Sequence, residues 1–158
     1  MTLLRGALVV SHCVLNQSVV VHGLERAVGA FSFVDQIPTQ ISLVQLPCPE
    51  FLRLGANRPG MTYAEYAALP DYRAYCQQLL QPTIQELIQL QADGVRLLGV
   101  LGIEESPNCD LLKRPGVFME AFTQLCQQND LYLPKLAVPV GYPDNAGDFE
   151  QQLQQFLK

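Results

Sequence analysis

The chain has 158 residues, 49% apolar and 16% charged, with ten Lys and Arg against 15 Asp and Glu and a formal net charge of −5. That length suits one hydrophobic core, so a single domain over residues 1–158 is expected, and the greasy composition suits a monomer or a homodimer. The acidic balance leaves no clustered positive charge to neutralise phosphates, so no nucleic-acid partner is expected.

The opening stretch MTLLRGALVVSHCVL is apolar. It turns polar short of the roughly 18 residues that span a bilayer, and no small-residue cleavage site follows a basic start. It reads as a first core strand over 6–13, with no membrane partner. A turn or short helix is expected near 23–30. The run ISLVQLPC at 41–48 reads as a second strand. A long helical stretch follows over 62–93, with a start or kink near Pro82. There Leu80, Ile84, Leu87 and Ile88 recur at helical spacing, the glutamines form a solvated face, and Gly94 supplies a left-handed stop. VRLLGVLGI at 95–103 is a third strand, 117–128 a helix, PKLAVPV at 134–140 a fourth strand. A last helix covers 146–157, with Phe149, Leu153 and Phe156 as its core stripe. Apolar runs without strict alternation suit strands covered on both faces. The whole reads as an α/β fold: an open, mostly parallel sheet of four to five strands with helices on both faces, of the Rossmann-like or flavodoxin-like kind. In such sheets ligands gather outside the carboxyl ends of the strands.

That rule gives the cysteines their meaning. There are five, an odd number, and without an export signal they are expected to be reduced thiols in a cytoplasm. Cys76 and Cys126 share helical faces with Tyr72, Leu80, Phe118 and Phe122 and read as core. Cys13 and Cys48 instead close the first two strands, and Cys109 lies in the loop after the third. Pro47 and Pro49 fix the backbone on both sides of Cys48. Glu104, Glu105, Ser106 and Pro107 surround the approach to Cys109. Three thiolates on one sheet edge suit zinc or an iron-sulfur cluster. Zinc would draw a fourth ligand from His12 or His22, although His12, beside Cys13 on a strand, should face the other way. A cubane cluster can leave its fourth iron without a protein ligand, so three cysteines are then a full set. No glycine-rich phosphate loop occurs in GVLGIEES, and no nucleotide cofactor is indicated.

The segments SHCVLNQSVVVHG, LPCPEFLRLGANRP, MTYAEYAALPDYRAYCQQLLQP and GVLGIEESPNCD together resemble a bacterial family related to the thiouracil desulfidases. The likeness runs over roughly residues 5–125, and the Cys-Pro-Glu and Ser-Pro-x-Cys pieces are its most specific parts. The resemblance implies an α/β fold holding a 4Fe–4S cluster on Cys13, Cys48 and Cys109, with Glu50 and Ser106 as catalytic groups. It further implies a small-molecule thio substrate, from which hydrolysis removes sulfur. This chain departs from the pattern at Asn108, where a small serine is usual, and at Asp110, where glycine is common. Its VLNQSVVVHGLER also differs from the segment that follows the first cysteine in the desulfidases proper.

Around these positions, Glu50 stands two residues from Cys48 and suits the activation of a water. Ser106 suits proton relay or orientation. Arg58 and Asn16 are expected to meet substrate, Arg58 because its fork of donors suits an oxygen or anion. Lys113 reads as loop surface charge. Two other readings use the same thiols: a non-catalytic iron-sulfur or zinc protein acting as a sensor, and a carrier working through one low-pKa cysteine. The carrier needs a cation or a helix amino terminus beside its sulfur.

Overall fold

The structure, a computed structural model, describes residues 5–158. Four short runs rich in Leu, Val and Ile form strands β1 (Gly6–Val10), β2 (Ile41–Gln45), β3 (Arg96–Ile103) and β4 (Lys135–Val138). All are parallel, in the order β2-β1-β3-β4. Central β1 pairs Gly6 to Val10 with Ile41 to Gln45 on one side and with Arg96 to Leu101 on the other, where one extra β3 residue is accommodated between Ala7 and Leu8. The α/β open sheet is therefore as the sequence indicates, with four strands.

Side chains of successive strand residues point to opposite faces, and both faces are covered. Ala7 and Val9 join one core with helices α4 (Tyr72–Ala92) and α5 (Val117–Gln128). Leu8 and Val10 join another with Phe31, Phe33 and Tyr142 and with α6 (Ala146–Phe156). Cys76 and Cys126 lie in the first of these cores. Among the described residues no helix is long and apolar enough to cross a membrane.

Burial holds the Cys76 thiol up at about 12 and the Cys126 thiol at about 11, against an ordinary 9.0. In the unfolded chain both would ionise near 9.0, whereas the folded protein keeps them protonated. Their contribution is full below that pH and is lost as pH climbs toward 11 and 12. Urea midpoints of the protein are expected to fall across that alkaline window, and less steeply in Cys76→Ala.

Three local readings change. The first two strands end earlier than expected, at Val10 and Gln45, so Cys13 sits in a helical turn, α1 (His12–Leu15), and Cys48 caps α2 (Pro49–Leu54). The stretch 62–93 is two helices, α3 (Tyr63–Ala67) and α4. Thr62 and Glu65 make a reciprocal capping box at the start of α3. The break falls at Pro70 and Asp71, the latter left-handed at φ 57°, and Pro82 lies inside α4. Residues 23–30 form turns and bends, between 3-10 helices at Gln17–Val19 and Ser32–Gln36.

The chain runs from β1 to β2 on one side, then crosses to β3 on the other. The order reverses between β1 and β3, which in open α/β sheets is where a crevice opens at the carboxyl ends.

Candidate functional site

Each of the first three strands delivers a cysteine to that edge. After β1, Ser11 donates its N–H to the Leu101 carbonyl at 3.0 Å, which ties the turn carrying Cys13 to β3. After β2, Leu46 donates to the Val10 carbonyl at 2.9 Å, and Pro47 leads into Cys48. There the Cys48 sulfur accepts the Phe51 N–H at 3.4 Å, Pro49 opens α2 and Glu50 falls in its first turn. After β3 the chain doubles back, so that Ile103 donates to the Cys109 carbonyl at 2.9 Å.

This last loop is held by side chains that its sequence supplies. Ser106 Oγ accepts the N–H of Cys109 at 2.9 Å and of Asn108 at 3.3 Å. The buried carboxylate of Asp110 accepts the N–H groups of Glu105 at 2.9 Å, Leu112 at 3.1 Å and Arg114 at 3.3 Å. Two glycines let it approach β3 and α5: a Cβ at Gly102 would collide with the Cys109 carbonyl oxygen, and one at Gly116 with the Asn108 backbone. Gly102→Ala is expected to cost about 1–3 kcal/mol by displacing the Cys109 backbone, measured by urea unfolding.

Cys13, Cys48, Cys109, Glu50, Arg58 and Ser106 all line one cavity of about 220 Å³. The thiols sense one another. Burial, then Cys48, pushes Cys13 up to about 12. Burial, then Cys13 and Cys48, pushes Cys109 well above its ordinary value. Cys48 is also raised, chiefly by burial, despite the Phe51 N–H on its sulfur. A low-pKa carrier thiol is the opposite of this setting.

Soft sulfur donors from three separate segments fit an inorganic group better than a disulfide or a single nucleophile. Among the described residues no three metal-ligating side chains stand close enough to hold one ion. Zinc needs every sulfur at about 2.3 Å from a single point, whereas a cluster distributes its thiolates over several irons. His12 is engaged with the backbone, its Nδ1 standing 2.9 Å from the Leu46 carbonyl oxygen. His22 is exposed, 3.6 Å from Glu25. One further observation concerns the third thiol. Ser11 Oγ is buried with no hydrogen-bond partner among the described residues, and it stands near Cys109, whose thiol it draws downward. A hydroxyl so placed suits donation to a ligated sulfur.

Glu50 is the centre of a buried polar chain. Its Oε1 accepts Arg58 Nε–H at 3.1 Å and its Oε2 accepts Asn108 Nδ2–H at 2.8 Å. Asn108 Oδ1 in turn accepts the Tyr72 hydroxyl at 2.8 Å. The Tyr66 phenol lies beside the pair, pushed up by burial and then by the Glu50 charge. Each carboxylate oxygen keeps a second lone pair.

The geometry gives Arg58 and Asn16 specific protein partners. Arg58 lines the cavity with a side chain that is 3% exposed, paired with Glu50 and bonded through Nη1 to the Gly55 carbonyl at 2.8 Å. Asn16 spends its side chain accepting the Ser18 N–H at 3.0 Å, and the neighbouring Gln17 lines the cavity instead. Gln17 donates to the Cys13 carbonyl at 2.8 Å and accepts the Arg26 N–H at 2.8 Å, so it braces the first cysteine. Lys113 does lie on the exposed surface, 3.3 Å from Glu104 and 3.2 Å from Glu105. Sequence reading passed over Arg26, which also lines the cavity, and saw Asn108 only as a departure from a pattern. The available signal for Arg26 was the one arginine in VVVHGLERAVGAF, a largely apolar segment whose other polar side chains are His22 and Glu25.

Fold and site together define a parallel α/β protein with three thiols and a buried carboxylate at the carboxyl edge of its sheet. It is 38% identical over 152 residues, covering 95% of this chain and 94% of the relative, to the uncharacterized protein MJ0003 of Methanocaldococcus jannaschii. The chain belongs to the family of that archaeal protein. No family model matches it, and no solved structure matches it.

Proposed function

We propose that this protein is a 4Fe–4S-dependent desulfidase, related to the thiouracil desulfidases, that hydrolyses a thiocarbonyl in a small molecule in the reducing cytoplasm. The observation that carries the reading is the meeting of Cys13, Cys48, Cys109, Glu50 and Ser106 around one cavity. The three cysteines would hold the cluster, which when bound supplies a Lewis-acidic iron without a protein ligand for the departing sulfur. The reaction balances as thiocarbonyl plus water giving carbonyl plus hydrogen sulfide, with no electron exchanged.

The protein's own groups divide the remaining work. Arg58 and Asn108 clamp Glu50 from two directions, fixing its carboxylate while leaving lone pairs that can take a proton from water. Ser106 Oγ already accepts two backbone N–H groups. Its own O–H is therefore the free donor, suited to orienting the carbonyl or the water. Val19 and Phe31 line the same cavity and limit the access of bulk water.

The test is purification without oxygen, followed by iron and acid-labile sulfide analysis and an assay of hydrosulfide release from thiouracil. Iron with sulfide and release of hydrosulfide are expected. A colourless protein carrying zinc alone would overturn the proposal. A cluster without release from thiocarbonyl compounds would instead support a non-catalytic iron-sulfur protein.

A further inference from the structure

Two guanidinium groups line the cavity, and they differ in one respect. Arg58 is neutralised by Glu50. Arg26, half-buried, pairs with no carboxylate among the described residues, and the titratable group it faces is the Cys13 thiol. Its Nη1 alone is engaged, donating to the carbonyls of Pro139 at 2.8 Å, Val140 at 3.1 Å and Tyr142 at 3.3 Å. The group also stacks over the Phe31 ring, 5.1 Å from its centroid. These contacts fix the plane of the guanidinium and leave Nε–H and the Nη2 hydrogens without an acceptor among the described residues.

Carbonyl dipoles and an aromatic face orient a cation but do not cancel its charge, and a partly desolvated charge calls for an opposite one. The free edge of a guanidinium matches a planar oxyanion in a two-point fork. Beside Gln17 and Cys13, the wall near Arg26 is apolar, made by Val19, Val21, Leu24 and Phe31. A ligand complementary to this surface has a flat apolar body and one anionic oxygen group.

From this geometry we infer that Arg26 is a specificity-determining residue that binds a carboxylate on the substrate, so the natural thio compound is a small planar acid. The inference rests on the desulfidase reading for the thio group and on Arg26 for the acid. Lys at this position would keep the charge but lose the fork.

The probes are 2-thiouracil and its 6-carboxylate, with binding to oxygen-free, cluster-containing protein followed by equilibrium dialysis. The carboxylate is expected to bind roughly tenfold or more tightly than the neutral compound, the scale of a charge-assisted hydrogen bond. Arg26→Gln should collapse that ratio toward one, and Arg26→Lys should restore it in part. Equal affinities in the unmodified protein, or a ratio unchanged by Arg26→Gln, would overturn the inference while leaving the desulfidase reading intact. Loss of iron from Arg26→Gln with an unchanged binding ratio in the loaded fraction would assign Arg26 to the thiolates and also overturn it. If the carboxylate binds through Arg26 yet neither probe releases hydrosulfide, the acid-binding role stands and the desulfidase reading falls.

Discussion

Glu50→Gln is expected to retain its iron and acid-labile sulfide while releasing hydrosulfide from thiouracil about 10²–10⁴ times more slowly, the usual scale for loss of a general base. The substitution keeps length and planarity, so Oε1 can still accept the Arg58 Nε–H. What it removes is the ability to take a proton, together with the counter-charge of Arg58 and the acceptor that Asn108 Nδ2–H uses. Iron content separates this outcome from collapse of the site, because Glu50 is only two residues from Cys48. An unchanged rate with full iron would remove Glu50 from the chemistry and leave it a brace for α2.

Arg58→Met is expected to cost about 3–5 kcal/mol, since breaking one side of a buried ion pair strands the other charge. Side chains of the two partners are 3% and 12% exposed, so water cannot readily replace the lost guanidinium. Urea unfolding of cluster-free protein measures the loss. Combining Arg58→Met with Glu50→Gln should recover part of it, because the orphaned charge is then gone. A loss under about 1 kcal/mol would mean that the pair is effectively solvated.

These outcomes depend on groups that the sequence showed unevenly. The four apolar runs and the helix over 117–128 were legible because each is a local pattern of burial. The cysteine edge was legible because a parallel sheet sends every strand end the same way. Strand ends were not: the runs read as strands to Cys13 and Cys48 stop pairing at Val10 and Gln45, where the chain turns into α1 and toward α2. The chain from Tyr72 through Asn108 to Glu50 joins residues 36 and 58 positions apart. No short-range spacing encodes such a link. Asn108 is instructive, since the same amide that breaks a motif is the piece that fastens the carboxylate.

The loop around Asp110 carries a consequence for how the site fills. Its carboxylate gathers backbone N–H groups on both sides of Cys109, and Gly102 removes the space in which that cysteine could wander. The third thiol is thus preorganised, and capture of an inorganic core needs little further ordering of this segment. Amide hydrogen exchange at Glu105, Leu112 and Arg114 should accordingly be slow already in protein stripped of iron, with loading slowing exchange mainly in the Cys13 turn.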